Sequence, residues 1–177
     1  MNKYIIVLIG FSLLLNSCKA IDSLTQFTME YDQVATINAT IPIPIGLLNI
    51  PTPKITTNSE SKFQSEDTHK DLVEQAILKT LELEITSPTN GDFNFLESIK
   101  VYISAADLDE ILIASLINIP EGLKVIELNS EGQNLEAYIK KDEISLRVET
   151  VTDEILTRDY DLKIHSEFFI DAKILGI

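Results

Sequence analysis

The chain has 177 residues, 45% of them hydrophobic, and carries 28 Asp and Glu against 14 Lys and Arg for a net charge of −14. This length and apolar content suffice for one domain with a proper core. So acidic a body repels phosphate backbones and anionic headgroups, which excludes nucleic-acid binding and membrane attachment through a basic face.

Lys3 precedes an almost unbroken apolar run from Tyr4 to Leu15, followed by Asn16, Ser17 and Cys18. A run of about a dozen residues is short of the roughly 20 that a transmembrane helix needs. Basic n-region, apolar h-region and small-residue cleavage site together predict a secretory signal peptide. Cys18 is the only cysteine of the chain and stands directly after the cleavage point. Leu15-Asn16-Ser17-Cys18 therefore resembles the lipobox of bacterial lipoproteins, with Asn16 departing from the small residue usual at its position. The resemblance implies removal of residues 1–17, acylation of Cys18 and attachment to a membrane through that lipid, for instance with a palmitate chain. Each buried CH2 of such a chain adds about 0.8 kcal/mol of membrane affinity. It also implies the cell envelope. Lys19, in place of the aspartate that retains some lipoproteins at the inner membrane, points to the outer membrane of a Gram-negative bacterium. Loss of Lys3 takes the net charge from −14 to −15. With its one thiol acylated, the mature chain has no disulfide, so its core must supply the stability.

Residues 18–26 read as the acylated cysteine and a tether. Within it, Asp22-Ser23-Leu24 resembles the short sequon of a bacterial O-glycosylation system, which makes Ser23 a candidate acceptor. From Phe27 the period is two, with Phe27, Met29 and Tyr31 on one face, as in a half-buried strand. Ile41 to Pro53 combines six aliphatic residues with four prolines, which bar a helix and a central strand and are expected to bar sheet pairing altogether. Two readings follow. The segment is an extended strap over an open sandwich edge, or Ile43, Ile45, Leu47, Leu48 and Ile50 form an apolar rim that docks on a protein partner or on the bilayer. Lys54 to Ser65 reads as an edge strand or hairpin arm.

Leu72, Val73, Ala76, Ile77 and Leu81, preceded by Asp67 and Thr68 as caps, predict a helix. Ser87 to Asp92 is a turn in which Asn90-Gly91 tolerates positive φ. Ile99, Val101 and Ile103 alternate with polar residues, and Glu110 to Ile119 reads as a strand buried on both faces. A second short helix is signalled by Ser130 and Gln133 as a capping box and by Leu135, Tyr138 and Ile139 as its stripe. Ile144, Leu146 and Val148 alternate, and Leu162 to Ile174 is the longest alternation, predicting a central strand and an outward His165. The expectation is a mainly β chain: residues 27–177 as a single antiparallel β-sandwich of about eight strands with two short helices.

The catalytic inventory is thin. His69 and His165 are the only histidines and read as surface residues. Neither a G-x-S-x-G elbow nor an H-E-x-x-H pair occurs. Asp107, Asp109 and Glu110 form one acidic cluster; Asp153, Glu154, Asp159 and Asp161 form another. Neither has the spacing of an EF-hand loop. The absence of tryptophan counts against sugar platforms. No catalytic residue, metal or cofactor is expected. The reading is a lipid-anchored, non-catalytic binding or assembly module. An apolar-ligand carrier and a carboxylate hydrolase are the alternatives.

Overall fold

The computed structural model describes residues 26–173, which form two antiparallel sheets packed as a β-sandwich. One sheet has the order β1 (Gln26–Ile37), β10 (Tyr160–Ala172), β4 (Val73–Ser87) and β7 (Val125–Glu127). The other runs β2 (Gly46–Ile50), β9 (Glu143–Thr152), β5 (Leu96–Ala105), β6 (Leu108–Ile117) and β8 (Asn129–Ser130), with β3 (Ile55–Thr56) also paired to β9. Helices α1 (Ser59–Ser65) and α2 (Glu136–Ile139) and a single 3-10 turn at Lys70–Leu72 lie between strands. Among the described residues ten strands appear where about eight were expected; β3 and β8 have two residues each, too few to leave a periodic signal.

The predicted central strand is β10, held between β1 and β4 over its length. Tyr160, Leu162, Ile164, Ser166, Phe168, Ile170 and Ala172 all face inward and are buried. Against them pack Met29, Tyr31, Ala35 and Ile37 of β1 and, from the other sheet, Ile99, Val101 and Ile103 of β5 and Ile144, Leu146 and Val148 of β9. Strict alternation is what a strand needs when one face meets the opposite sheet and the other meets water.

The helix expected from Asp67 to Leu81 is absent: from Val73 onward this stretch is β4. Its buried residues are Val73, Ala76, Leu78, Leu81, Leu83 and Ile85. The three-residue steps, 73 to 76 and 78 to 81, coincide with register shifts against β10 at Asp171/Ala172 and Glu167/Phe168. At each shift one extra residue, Glu74 or Lys79, stands in β4. A β-bulge restores the inward phase after an odd step, and two bulges close together imitate helical spacing. His69 accordingly sits half-buried before the 3-10 turn and not in a helix.

Other expectations also change. Lys54 to Ser65 contains only the two-residue β3 and then α1, whose buried Phe63 packs edge-on against Phe27 at 6.0 Å. α2 carries the predicted stripe, with Leu135, Tyr138 and Ile139 buried. Its start is held by Asn134, whose Oδ1 accepts from the amides of Glu136 and Ala76, and not by a Ser130–Gln133 box. In β6 only Ile113 and Ala114 are buried, because its outer face is open to solvent. Gly91 does not have positive φ; it is buried, and a Cβ there would meet Ile85 at 2.9 Å and Tyr160 at 3.2 Å. Close packing, and not a left-handed turn, explains this glycine.

Candidate functional site

Both sheets end together. The last residues of β1, β4, β6 and β9 and the first of β2, β5, β7 and β10 lie at one end, so four connections (38–45, 88–95, 118–124 and 153–159) gather there. Gln26 opens β1 at the other end, paired with Asp171, beside α1 and the 106–107 turn.

The loop end is tied down by polar bonds. The amide of Ala39 donates to Asp159 Oδ1 (2.6 Å), the Thr36 hydroxyl to Asp161 Oδ1 (2.7 Å), and the amide of Gly122 to Asn94 Oδ1 (2.5 Å). Ile43 and Leu156 exchange backbone bonds of 3.0 Å, which fixes the first loop against the last. Beneath them, Phe95 packs on Phe93 and Tyr160, with ring centroids 6.3 and 4.6 Å apart. A surface fixed in this way loses little conformational freedom on binding.

On this base stand exposed aliphatic side chains: Ile41 (80% exposed), Ile45 (60%), Leu47 (67%), Ile117 (66%) and Ile155 (59%). Leu47 pairs with Val151, Val151 with Ser98 and Ser98 with Ile117. That register puts Leu47, Val151 and Ile117 in one row across the outer face of the second sheet. At the flank, a groove of about 210 Å³ opens between β1 and β2, lined by Ile37, Ile43, Leu48 and Ile50 and edged by Thr36, Asn38 and Pro51.

The segment from Ile41 to Pro53 thus divides in three. Ile45 and Leu47 are exposed, Ile43 and Leu48 are half-buried in the groove, and Ile50 is 1% exposed and belongs to the core. Sheet pairing was expected to be barred here. Gly46–Ile50 nevertheless pairs with β9 as an edge strand, because its five residues fit between Pro44 and Pro51 and lack no amide. The strap lies further on. Gln33 Nε2 donates to the Pro53 carbonyl (2.6 Å), Tyr31 OH to the Thr57 carbonyl (3.0 Å) and the Thr52 hydroxyl to the Leu146 carbonyl. Residues 52–57 therefore bridge β1 to β9. Ile117 fell within the Glu110–Ile119 run read as buried on both faces, and Ile155 was not singled out; each has an aliphatic chain neighbour, Leu116 or Leu156, so no local signal marks it as exposed. Cys18 and Ser23 lie outside the described residues.

The acidic clusters dissolve into separate roles. Asp159 and Asp161 hold the loop end, as above. Glu110 lies on β6 and receives two guanidinium nitrogens of Arg147 at 2.8–3.0 Å, which hold its carboxyl below the usual range. Arg147 also meets Glu149 at 3.0 Å and stacks over Tyr102 at 4.1 Å, stitching β9, β5 and β6 from outside. His165 does face outward, with Nδ1 2.8 Å from Asp32 Oδ1. This hydrogen bond, and then Lys163 at 3.3 Å, lower the Asp32 carboxyl. Among the described residues, no three His, Cys, Asp or Glu are grouped to hold a metal ion, and none of the helices is long and apolar enough to cross a membrane.

No protein-family model matches the chain, and no curated protein matches it. Among solved structures, a chain from Desmodium yellow mottle tymovirus is similar at 11% identity and a TM-score of 0.29, over 86% of this chain and 85% of that one. A TM-score so low supports no conclusion about the function of this chain.

Proposed function

We propose that the protein is a lipid-anchored lipoprotein of the bacterial envelope, moored in the outer membrane through Cys18, whose sandwich is a non-catalytic binding or assembly module. The observation that carries this reading is the gathering of exposed aliphatic side chains at one preorganised end of the sandwich, opposite the end where Gln26 receives the chain from Cys18. Exposed aliphatic side chains gathered on one fixed end of a domain are the mark of a contact site. The space between the sheets is filled by side chains, Phe63, Phe93 and Phe168 among them, so an apolar-ligand carrier gains no support from the interior. Arg147 with Glu110, and Lys163 and His165 with Asp32, are ion pairs between strands that hold the sheets from outside. The anchor is tested by growing cells with labelled palmitate and comparing the wild-type protein with Cys18→Ala. The wild type should take up label and fractionate with the outer membrane, and the variant should do neither. Label on the Cys18→Ala protein removes the anchor.

A further inference from the structure

Resting on the lipid-anchored reading, we propose that the loop end docks on a protein partner lying away from the bilayer that holds Cys18, through a partner patch of aliphatic residues bordered by lysine or arginine. Reach and charge select this occupant.

Reach comes first. β1 climbs 12 residues from Gln26 to Ile37, which at 3.3 Å per residue is about 36 Å between the two ends of the sandwich. Cys18 precedes Gln26 by eight peptide units, and a fully extended chain covers at most about 29 Å in that span. The tether is too short for the domain to invert and seat its loop end on its own membrane. Lying on its side does not help, since the outer face of the second sheet would press Lys100, Glu110, Arg147 and Glu149 against lipid.

Charge comes second. The four loops carry five carboxylates (Asp92, Glu121, Asp153, Glu154 and Asp159) against Lys124 and Arg158. Asp92 and Asp159 accept backbone amides. Glu121, Asp153 and Glu154 are exposed, and among the described residues none of them forms an ion pair. An acidic rim around aliphatic side chains is mismatched to anionic headgroups and to a second copy of this chain, whose rim would meet its own. It is matched to an apolar patch with a cationic border. The groove beside Leu48, at the flank, has room for one large apolar side chain of the partner.

The test places a photoreactive amino acid at Leu47, at Ile117 or, as control, at exposed Ala106 in the turn at the opposite end. It uses the full-length protein in intact cells, with palmitate labelling in the same strains. Leu47 and Ile117 should each capture one discrete protein that Ala106 does not, through a peptide containing aliphatic residues and Lys or Arg. Adding Asp153→Lys with Glu154→Lys should lower the yield about tenfold, by loss of electrostatic steering, with an unchanged thermal midpoint. Lipid adducts, adducts between copies alone, no protein adduct, or a yield indifferent to the charge reversal each overturn the proposal. If palmitate label on the wild type persists in those cases, the anchor stands and only the docking fails; absence of label overturns both.

Discussion

Phe168→Ala is the sharpest test of the sandwich. The ring is fully buried on β10, flanked by Met29 of β1 and Leu78 of β4, and meets Tyr31 edge-on at 6.0 Å. Truncation loses the transfer energy of the phenyl group and leaves a void that strands paired on both sides collapse into poorly. Such substitutions cost about 3–5 kcal/mol, part of it the edge-to-face contact, worth about 0.5–1.5 kcal/mol. For a domain of this size each kcal/mol lowers the melting temperature by about 2–4 °C, so a fall of about 10–15 °C is expected. Val34→Ala is the control: Val34 lies on the outer face of β1, 60% exposed, where substitutions stay within about 0.5 kcal/mol. Thermal unfolding followed by circular dichroism reads both variants. A Phe168→Ala midpoint within about 3 °C of wild type, or one no lower than that of Val34→Ala, would show that β10 is not the centre of the core.

Two more outcomes follow from the packing and the ion pairs. Gly91→Ala should destabilise by about 1–3 kcal/mol through overpacking against Ile85 and Tyr160; a denaturation midpoint equal to wild type would mean that the turn shifts freely. Asp32, Glu110 and Asp142 have carboxyl pKa values lowered, first by hydrogen bonds from His165, Arg147 and Lys70 respectively. The unfolded chain therefore takes up protons before the folded one, so their stabilisation is present above about pH 5 and lost as the pH falls further. Calorimetry should show a thermal midpoint steady from pH 7 to 5 and falling towards pH 3, less steeply in a variant with Asn, Gln and Asn at these positions. A midpoint that rises on acidification would contradict the sign of all three shifts.

What the sequence determined by itself was whatever repeats locally. The inward set of β10 is legible because an uninterrupted strand buries every second residue, and the α2 stripe because Leu135, Tyr138 and Ile139 share one helical face. The predominance of strands and their arrangement as a sandwich follow from such runs. Tertiary structure decided wherever the partner strand sets the phase. The spacing of Val73, Ala76, Leu78 and Leu81 reads as a helix until β10 is set beside it, because a bulge is defined by two residues opposing one across a ladder that the sequence does not display. Gly91 reads as a turn residue until Ile85 and Tyr160 close on it. The candidate site is the extreme case. Leu47, Ile117 and Ile155 are unremarkable one at a time, and Ile50 looks equal to Leu47 in the same segment. The register Leu47–Val151–Ser98–Ile117 brings the first two into one row, and the pairing of Ile43 with Leu156 draws Ile155 to the same end. Inward and outward alternation along β2 sends Ile50 to the core and Leu47 to water. Burial depends on what stacks above a side chain, and the order of residues in one segment does not display that neighbour.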